Sequence, residues 1–516
     1  MLDLPPVLLV GYVFALVIAI LATFIVWSRT GFPSLPLPPG PRTSWFGGVS
    51  LPVSHPWRTY ADWRSVHGNI IYMYTFGNPI IIINSDQAAT DLLEKRSSNY
   101  SSRPVRTMVQ ELMGWDWLFS SMPYGARWKS HRSLFQKHFP LTASQDYHPI
   151  QEKEARALLR NLSRSPEKLS HHVRRNAAAL VMRIAYGHKV SEDGDVYVTI
   201  ADQAMTGLAR AGIFGTYIVD YLPLLKYIPS WVPGAAFQKQ AQRWKQASHA
   251  MINQPFDMVR QKMESGTAVP CFTTTELEEW SRAGQDPEQL TLIKNVAGIF
   301  YAGGTETTAT AILTFFLAMI MFPDCQLEAQ KQLDSVLGPD RLPQFSDRST
   351  LPFIDCLVWE TLRWNPAVPL ALARIADDDD EYAGYRIPKG TTILPNVWAM
   401  FHDETKFPDP LRFSPERFED EKKNRDLGIN DLPHAAFGFG RRVCPGRWLA
   451  LDTMWITIAS VLTVYNISKT VSKDGTVIEP DAEPFTSGLM SRPKPLNITL
   501  TPRSEAACAL IRQISE

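Results

Sequence analysis

The chain has 516 residues, 45% hydrophobic and 20% charged, and its 52 Lys and Arg balance 52 Asp and Glu. This is the composition of a globular protein with a large core, and a neutral chain without a long basic stripe excludes nucleic acid as a partner class. Five scattered cysteines, Cys271, Cys325, Cys356, Cys444 and Cys508, contain no C-x-x-C pair, which argues against a disulfide framework and a structural zinc site and fits a reducing compartment.

Residues 7–27 carry no charge, and about 20 residues at about 1.5 Å each span a bilayer core. A cleaved signal peptide would have a shorter apolar region, of about 7–15 residues, and a small-residue cleavage site. This run ends in Trp27 and Arg29, so residues 1–29 are expected to form a retained transmembrane helix. Asp3 before the span and Arg29 and Arg42 after it direct the body of the protein to the cytosol. Pro33, Pro36, Pro38, Pro39 and Pro41 make residues 30–42 a non-helical, semi-rigid spacer. Residues 43–516 then form one large domain.

Within that domain, residues 70–76 and 80–83 are β-rich runs around Gly77-Asn78-Pro79, a hairpin signal. Residues 86–96 read as a short helix capped by Ser85 or Asp86. From 142 to 337 the pattern is mostly helical, with breaks at Pro223, Pro229 and Pro233. A second β-rich block covers 382–394, and residues 497–500 make a plausible last strand. The expected fold is mainly α with small β-sheets. The run Asp377 to Glu381 reads as a solvated loop, and His171-His172, with no adjacent carboxylate or cysteine, reads as surface.

Several constellations carry chemistry. Trp128 and Arg132 are spaced to share one helix face. Gly303-Gly304-Thr305-Glu306-Thr307-Thr308 interrupts an otherwise strongly apolar helical run, 292–320. Each mid-helix glycine costs about 1 kcal/mol relative to alanine, and local rule-breaking of this kind marks functional sites. A threonine hydroxyl there can bond back to a carbonyl and bend the helix, and a neighbouring carboxylate can relay protons. Glu360 and Arg363 lie three apart among apolar residues, so their pair is expected to be buried and to need further partners. Last, Phe437-Gly438-Phe439-Gly440-Arg441-Arg442-Val443-Cys444-Pro445-Gly446 holds Cys444 on a glycine-rich loop before a helical run. A helix N-terminus and three nearby arginines favour its thiolate, as nucleophile or as metal ligand.

That loop, F-x-x-G-x-R-x-C-x-G, resembles the haem-binding loop of the cytochrome P450 family. The other motifs follow in family order: W-x-x-x-R at Trp128 and Arg132, [AG]-G-x-[DE]-T-[ST] at Gly303–Thr308, E-x-x-R at Glu360 and Arg363, and P-E-R-F at Pro415-Glu416-Arg417-Phe418. Strings such as Asp91-Leu92-Leu93-Glu94-Lys95-Arg96 and Glu111-Leu112-Met113-Gly114-Trp115 are similar to fungal secondary-metabolism members of the O-methylsterigmatocystin oxidoreductase-like and tryptamine 4-monooxygenase-like kind. The resemblance implies a cytochrome P450 fold preceded by one N-terminal transmembrane helix, with haem b as cofactor and Cys444 as its axial metal ligand. It implies that Phe437 and Gly446 shape the haem loop, and that Trp128, Arg132, Arg374 and Arg442 reach the haem propionates. It assigns Thr307 and Glu306 to proton delivery during oxygen activation, and Glu360, Arg363 and Arg417 to a structural ion-pair network.

The implied activity is a monooxygenase acting on a lipophilic small molecule, with a terpenoid first and an aromatic or polyketide compound second. Electrons would come from NADPH-cytochrome P450 reductase, with cytochrome b5 as a further donor, and Lys129, Lys137, Arg441 and Arg447 would offer the docking face. The protein would sit in the endoplasmic reticulum membrane with its catalytic domain in the cytosol. A haem-thiolate isomerase or dehydratase, and a non-catalytic haem sensor, are the rival readings. Segments 104–119, 208–218, 295–303, 368–372 and 485–490 are expected to line the substrate pocket, and 222–231 to touch the membrane.

Overall fold

The computed structural model describes residues 35–42, 48–212, 216–429 and 432–515. The expected membrane helix, residues 1–29, and the start of the proline-rich spacer lie outside them. Strands β1 (Ile70–Thr75), β2 (Asn78–Ile83), β3 (Arg374–Ile375) and β6 (Thr392–Pro395) form a sheet in the order β1-β2-β6-β3, with β2 and β6 parallel. β4 (Asp380–Tyr382) pairs with β5 (Tyr385–Ile387), and β7 (Tyr465–Lys469) with β8 (Ile498–Pro502). The longer helices are α1 (Ala126–His138), α2 (His148–Arg164), α3 (Leu169–Tyr186), α4 (Val196–Ala211), α5 (Ala236–Glu264), α6 (Phe272–Arg282), α7 (Pro287–Met321), α8 (Pro323–Leu337), α9 (Pro352–Trp364), α10 (Arg447–Val464) and α11 (Glu505–Ser515).

The hairpin forms one step tighter than the sequence suggests. Phe76 and Gly77 both take positive φ, 44° and 85°, giving a two-residue turn whose twist matches that of the strands. Asn78 and Pro79 therefore belong to β2, paired with Thr75 and Tyr74. Ser85 caps the next helix, its hydroxyl accepting from the Ala88 N–H at 3.2 Å.

The proline-rich spacer is not free at its far end. The Tyr72 N–H donates to the Pro39 carbonyl and the Arg386 N–H to the Pro36 carbonyl, both at 2.9 Å. Prolines lack a donor but keep a carbonyl, so this segment accepts from strand residues and is laid onto the domain.

Helix α7 crosses the interior and packs against α3, α10, α9, α5 and α1. It is apolar on all faces, as a buried helix should be. It and α10 are long and apolar enough to cross a membrane, but 83% and 78% of their apolar windows are buried inside the domain. Helix α11 continues past the expected last strand, and Ala507, Leu510 and Ile511 bury its inner face in the core cluster shared by α2 and α10.

Two surface readings are corrected. His172 is only 8% exposed and its Nε2 lies 3.0 Å from the Ser165 carbonyl, because α3 turns it inward. Asp380 belongs to a strand and pairs with Arg96 at 2.9 Å and with the Tyr100 hydroxyl at 2.8 Å.

Candidate active site

The cysteine loop lies between the end of a short helical segment, Thr90–Lys95, and the start of α10. Gly440 has φ +51°, and a Cβ there would meet the Leu93 carbonyl oxygen at 2.3 Å. The loop is thus pressed against that backbone where only glycine fits. The Cys444 N–H donates to the Phe437 carbonyl at 2.7 Å and closes the loop. A Cβ on Gly446 would stand 4.0 Å from the Phe135 ring.

Cys444 is half-buried. Burial pushes its thiol up, against a hydrogen bond from the Gly446 N–H and the charges of Arg132 and Arg447. Burial and the nearby cations thus act on the thiol in opposite directions. Coordination to a metal would deprotonate the thiol outright.

Four arginines converge around this loop. Arg132 donates to the Val443 carbonyl at 2.6 Å. Arg442 donates to the Ser101 and Met122 carbonyls at 2.7 Å each, and lies 4.3 Å from the Trp128 ring centroid. Arg374 donates to the Phe439 carbonyl at 2.8 Å. Arg103 donates to the carbonyls of Leu372 and Ala373 at 2.5 and 2.6 Å, and to that of Ser120 at 3.0 Å. Each is at most 8% exposed, and none makes an ion pair among the described residues. Burial lowers the pKa of all four: Arg132 and Arg442 fall to about 10 and Arg374 to about 9, while Arg103 drops well below its ordinary value, with Arg374 and Arg442 adding repulsion. Buried cations without anions are costly unless a ligand brings the charge.

On α7, the Thr307 hydroxyl donates back to the Gly303 carbonyl at 2.7 Å. Glu306, 3% exposed, points elsewhere. Its Oε1 accepts from Arg174 of α3, and its Oε2 lies 3.1 Å from Arg492. Arg174 also reaches Asp202 of α4 at 3.5 Å, whose Oδ1 accepts from the Tyr301 hydroxyl at 2.9 Å. Behind the loop, Glu360 and Arg363 have no solvent exposure and meet through contacts of 2.6 and 2.8 Å. Arg363 adds the Phe401 and Pro410 carbonyls, and the Arg417 Nε stands 3.6 Å from Glu360.

The chain matches the family described as Cytochrome P450 over residues 38–500. It belongs to the cytochrome P450 family. Cytochrome P450 monooxygenase 208 of Postia placenta is 40% identical over 97% of both chains. Tryptamine 4-monooxygenase of Psilocybe cyanescens is 37% identical over 91% of this chain and 93% of its own. A zebrafish cytochrome P450 solved with abiraterone shares the fold, with a TM-score of 0.69 and 21% identity over 87% of this chain and all of that one.

The protein is accordingly a haem-thiolate monooxygenase with haem b as cofactor. The residues present fit that group. Cys444 offers one sulfur that would hold the haem iron, and the four arginines without an ion-pair partner among the described residues would suit the two haem carboxylates. Sequence reasoning found Arg132, Arg374 and Arg442 but not Arg103, Arg174 or Arg492. Arg103 sits in irregular chain with carbonyl partners only, so no spacing announces it. Segments 104–119, 208–218 and 485–490 do converge: Arg106 donates to the carbonyls of Ala211 and Gly212 and pairs with Asp220, and a Cβ on Gly212 would meet Leu489 at 2.9 Å.

Proposed function

We propose that this P450 oxidises a lipophilic small molecule that reaches it from a membrane, with Cys444 as the residue that would hold the haem iron and Thr307 and Glu306 as its proton-handling pair. When bound, the haem supplies oxygen activation and insertion into an unactivated C–H bond. The chain's own residues do the rest. Arg103, Arg132, Arg374 and Arg442 would hold the haem propionates, Phe437 and Gly446 shape the loop around the sulfur, and Trp128 stacks beneath Arg442. Thr307 offers a hydroxyl on α7, and Glu306 one residue away holds a carboxylate that meets Arg174 and Arg492.

The observation that carries the lipophilic reading is an apolar rim. Ile218, Leu222, Leu224, Tyr227 and Trp231 are 51–79% exposed, and Phe76 at the hairpin tip, 51% exposed, packs on Tyr221 at 5.4 Å. Exposed aromatic and aliphatic residues in one region mark a membrane-contacting surface, and this one adjoins the converging segments 104–119 and 208–218. A single-pass anchor over residues 1–29, a spacer over 30–42 and a catalytic domain from 43 onward, in the endoplasmic reticulum membrane and facing the cytosol, complete this reading. A terpenoid substrate fits such entry, with an aromatic compound second. Tryptamine 4-monooxygenase, named for an aromatic amine, supports the second class.

Electrons come from NADPH-cytochrome P450 reductase, with cytochrome b5 as an auxiliary donor. Lys137 is already held by Glu276 and Glu279 at 2.9 and 2.6 Å, which leaves Lys129, Arg441 and Arg447 as the docking cations. The test is reconstitution of the full chain with reductase in phospholipid vesicles, supplied with terpenoid and aromatic panels. Product that requires both oxygen and NADPH supports the reading, and turnover without oxygen moves the protein to the isomerase class. Rate that does not change with ionic strength removes the docking face.

A further inference from the structure

The two oxygens of Glu306 are divided between two cations of different origin. Oε1 belongs to Arg174 on helix α3, and Oε2 belongs to Arg492 at 3.1 Å. Arg492 sits on the returning arm of a hairpin, residues 485–493. The Thr486 N–H donates to the Arg492 carbonyl at 2.7 Å, and the Arg492 N–H donates to the Thr486 hydroxyl at 3.1 Å. The next residue back, Ser491, is fastened to Asn365 at 2.7 Å, and Asn365 to Thr314 of α7 at 3.2 Å. The hairpin base is therefore fixed to the same helix that carries Glu306. Its tip is not so fixed: Leu489 is seated against Gly212, at the end of α4.

Helix α4 also holds the other side of the network. Asp202, on α4, shares Arg174 with Glu306. A displacement of α4 bears on both cations of Glu306, through Asp202 on one side and through Leu489 and the hairpin on the other. The Arg492 contact is the more releasable, because among the described residues Arg492 forms an ion pair with Glu306 alone, whereas Arg174 is also held by Asp202. With both oxygens occupied, Glu306 has none directed to Thr307.

We propose that Arg492 is a positioning residue that couples ligand occupancy between the 485–493 hairpin and α4 to the carboxylate of Glu306. A ligand entering there lifts Leu489 from Gly212, draws Arg492 away and frees Oε2, while Arg174 keeps Oε1. This rests on reading Glu306 as the proton-handling carboxylate and the space under the hairpin as the substrate pocket.

Coupling of this kind is reciprocal, so it is readable in ligand affinity without turnover. The haem-loaded full chain is titrated with clotrimazole, a lipophilic azole, and binding is followed by the haem difference spectrum. Arg492→Gln and Glu306→Gln are each expected to change the dissociation constant by about three-fold or more, and the double variant no further than either alone, as for groups acting through one contact. Arg492→Lys should restore most of the affinity. Hydrogen exchange of the peptide covering 485–493 should change with azole in the wild type and not in Arg492→Gln. An unchanged dissociation constant, or additive shifts in the double variant, overturns the proposal. If Arg492→Gln does not load haem, the same cycle with Arg492→Met, which also removes the charge, decides by the same criterion. A missing thiolate-type carbon-monoxide band in the wild type would instead sink the haem-thiolate reading. Wild-type azole binding with unchanged exchange in both 485–493 and α4 would sink the pocket assignment.

Discussion

The Arg442 guanidinium stacks 4.3 Å from the centroid of the Trp128 ring, joining the cysteine loop to a helix far away in the chain. The contact desolvates the cation, yet the partners of that cation are all carbonyls of the 101–122 segment. Arg103, Arg132 and Arg374 repeat the arrangement. The result is a site whose cost is borne by the protein until an anionic group arrives.

That imbalance predicts opposite signs in two states. Arg442→Leu should leave the haem-free protein as stable or more stable, because the desolvation cost of the buried charge outweighs the loss of its bonds to the Ser101 and Met122 carbonyls. The same substitution should lower haem retention, read as the ratio of Soret to protein absorbance after gel filtration. Destabilisation of the haem-free form would show that the cluster is compensated within the protein.

Gly440→Ala places a Cβ 2.3 Å from the Leu93 carbonyl oxygen at a φ of +51°. Neither the loop nor the Thr90–Lys95 backbone can yield cheaply, so the loop must shift and carry Cys444 with it. The ferrous carbon-monoxide spectrum should lose its thiolate-type band in favour of that of a haem without thiolate ligation. Gly446→Ala, with only an ordinary contact to Phe135 at 4.0 Å, should be far milder.

Glu360 and Arg363 are fully buried and share further bonds with the Ser414 N–H at 2.7 Å and the Phe401 carbonyl at 3.0 Å. Removing one member strands the other, at about 3–5 kcal/mol. Glu360→Ala should therefore abolish accumulation of folded protein, and Arg363→Lys should fall short of rescue because a lysine cannot reproduce the fork. Wild-type yields from Arg363→Lys would reduce this pair to a minor contributor.

Much of this site was legible because its chemistry demands fixed spacings along one element. The cysteine loop, the Trp128 and Arg132 helix face, the Glu360 and Arg363 turn and the broken pattern of α7 are all local. Illegible features join distant segments. Glu306 meets Arg174 and Arg492, one on α3 and the other near the C-terminus, and no periodicity links them. Arg103 was hidden for a similar reason, since its acceptors are backbone carbonyls of two loops. Helix α11 is a different case: Ala507, Leu510 and Ile511 already show helical spacing in the sequence.

Thr307→Ala removes the hydroxyl that bends back to Gly303 at 2.7 Å without touching Cys444 or the arginines. Haem content and the carbon-monoxide band should be unchanged. Product per NADPH should fall sharply, toward the roughly 100-fold that is the low end for loss of a proton-transfer group, with peroxide making up the difference. Full coupling in the variant would remove Thr307 from the mechanism.

His402 stacks on Trp398 at 4.0 Å and its Nδ1 lies 2.8 Å from the Trp398 carbonyl. Burial, helped by the Arg363 charge, lowers its pKa from 6.5 to about 3. The unfolded chain takes up this proton near pH 6.5 while the folded chain refuses it until about 3, so stability drops as the pH falls through that window. The slope is about 1.4 kcal/mol per pH unit for one group, which gives His402 a share of about 2 kcal/mol between pH 7 and pH 5. His402→Gln should be less stable than the wild type at pH 7, and should lose about 2 kcal/mol less over that interval in urea titrations. Parallel losses in both proteins would mean that His402 is protonated in the fold.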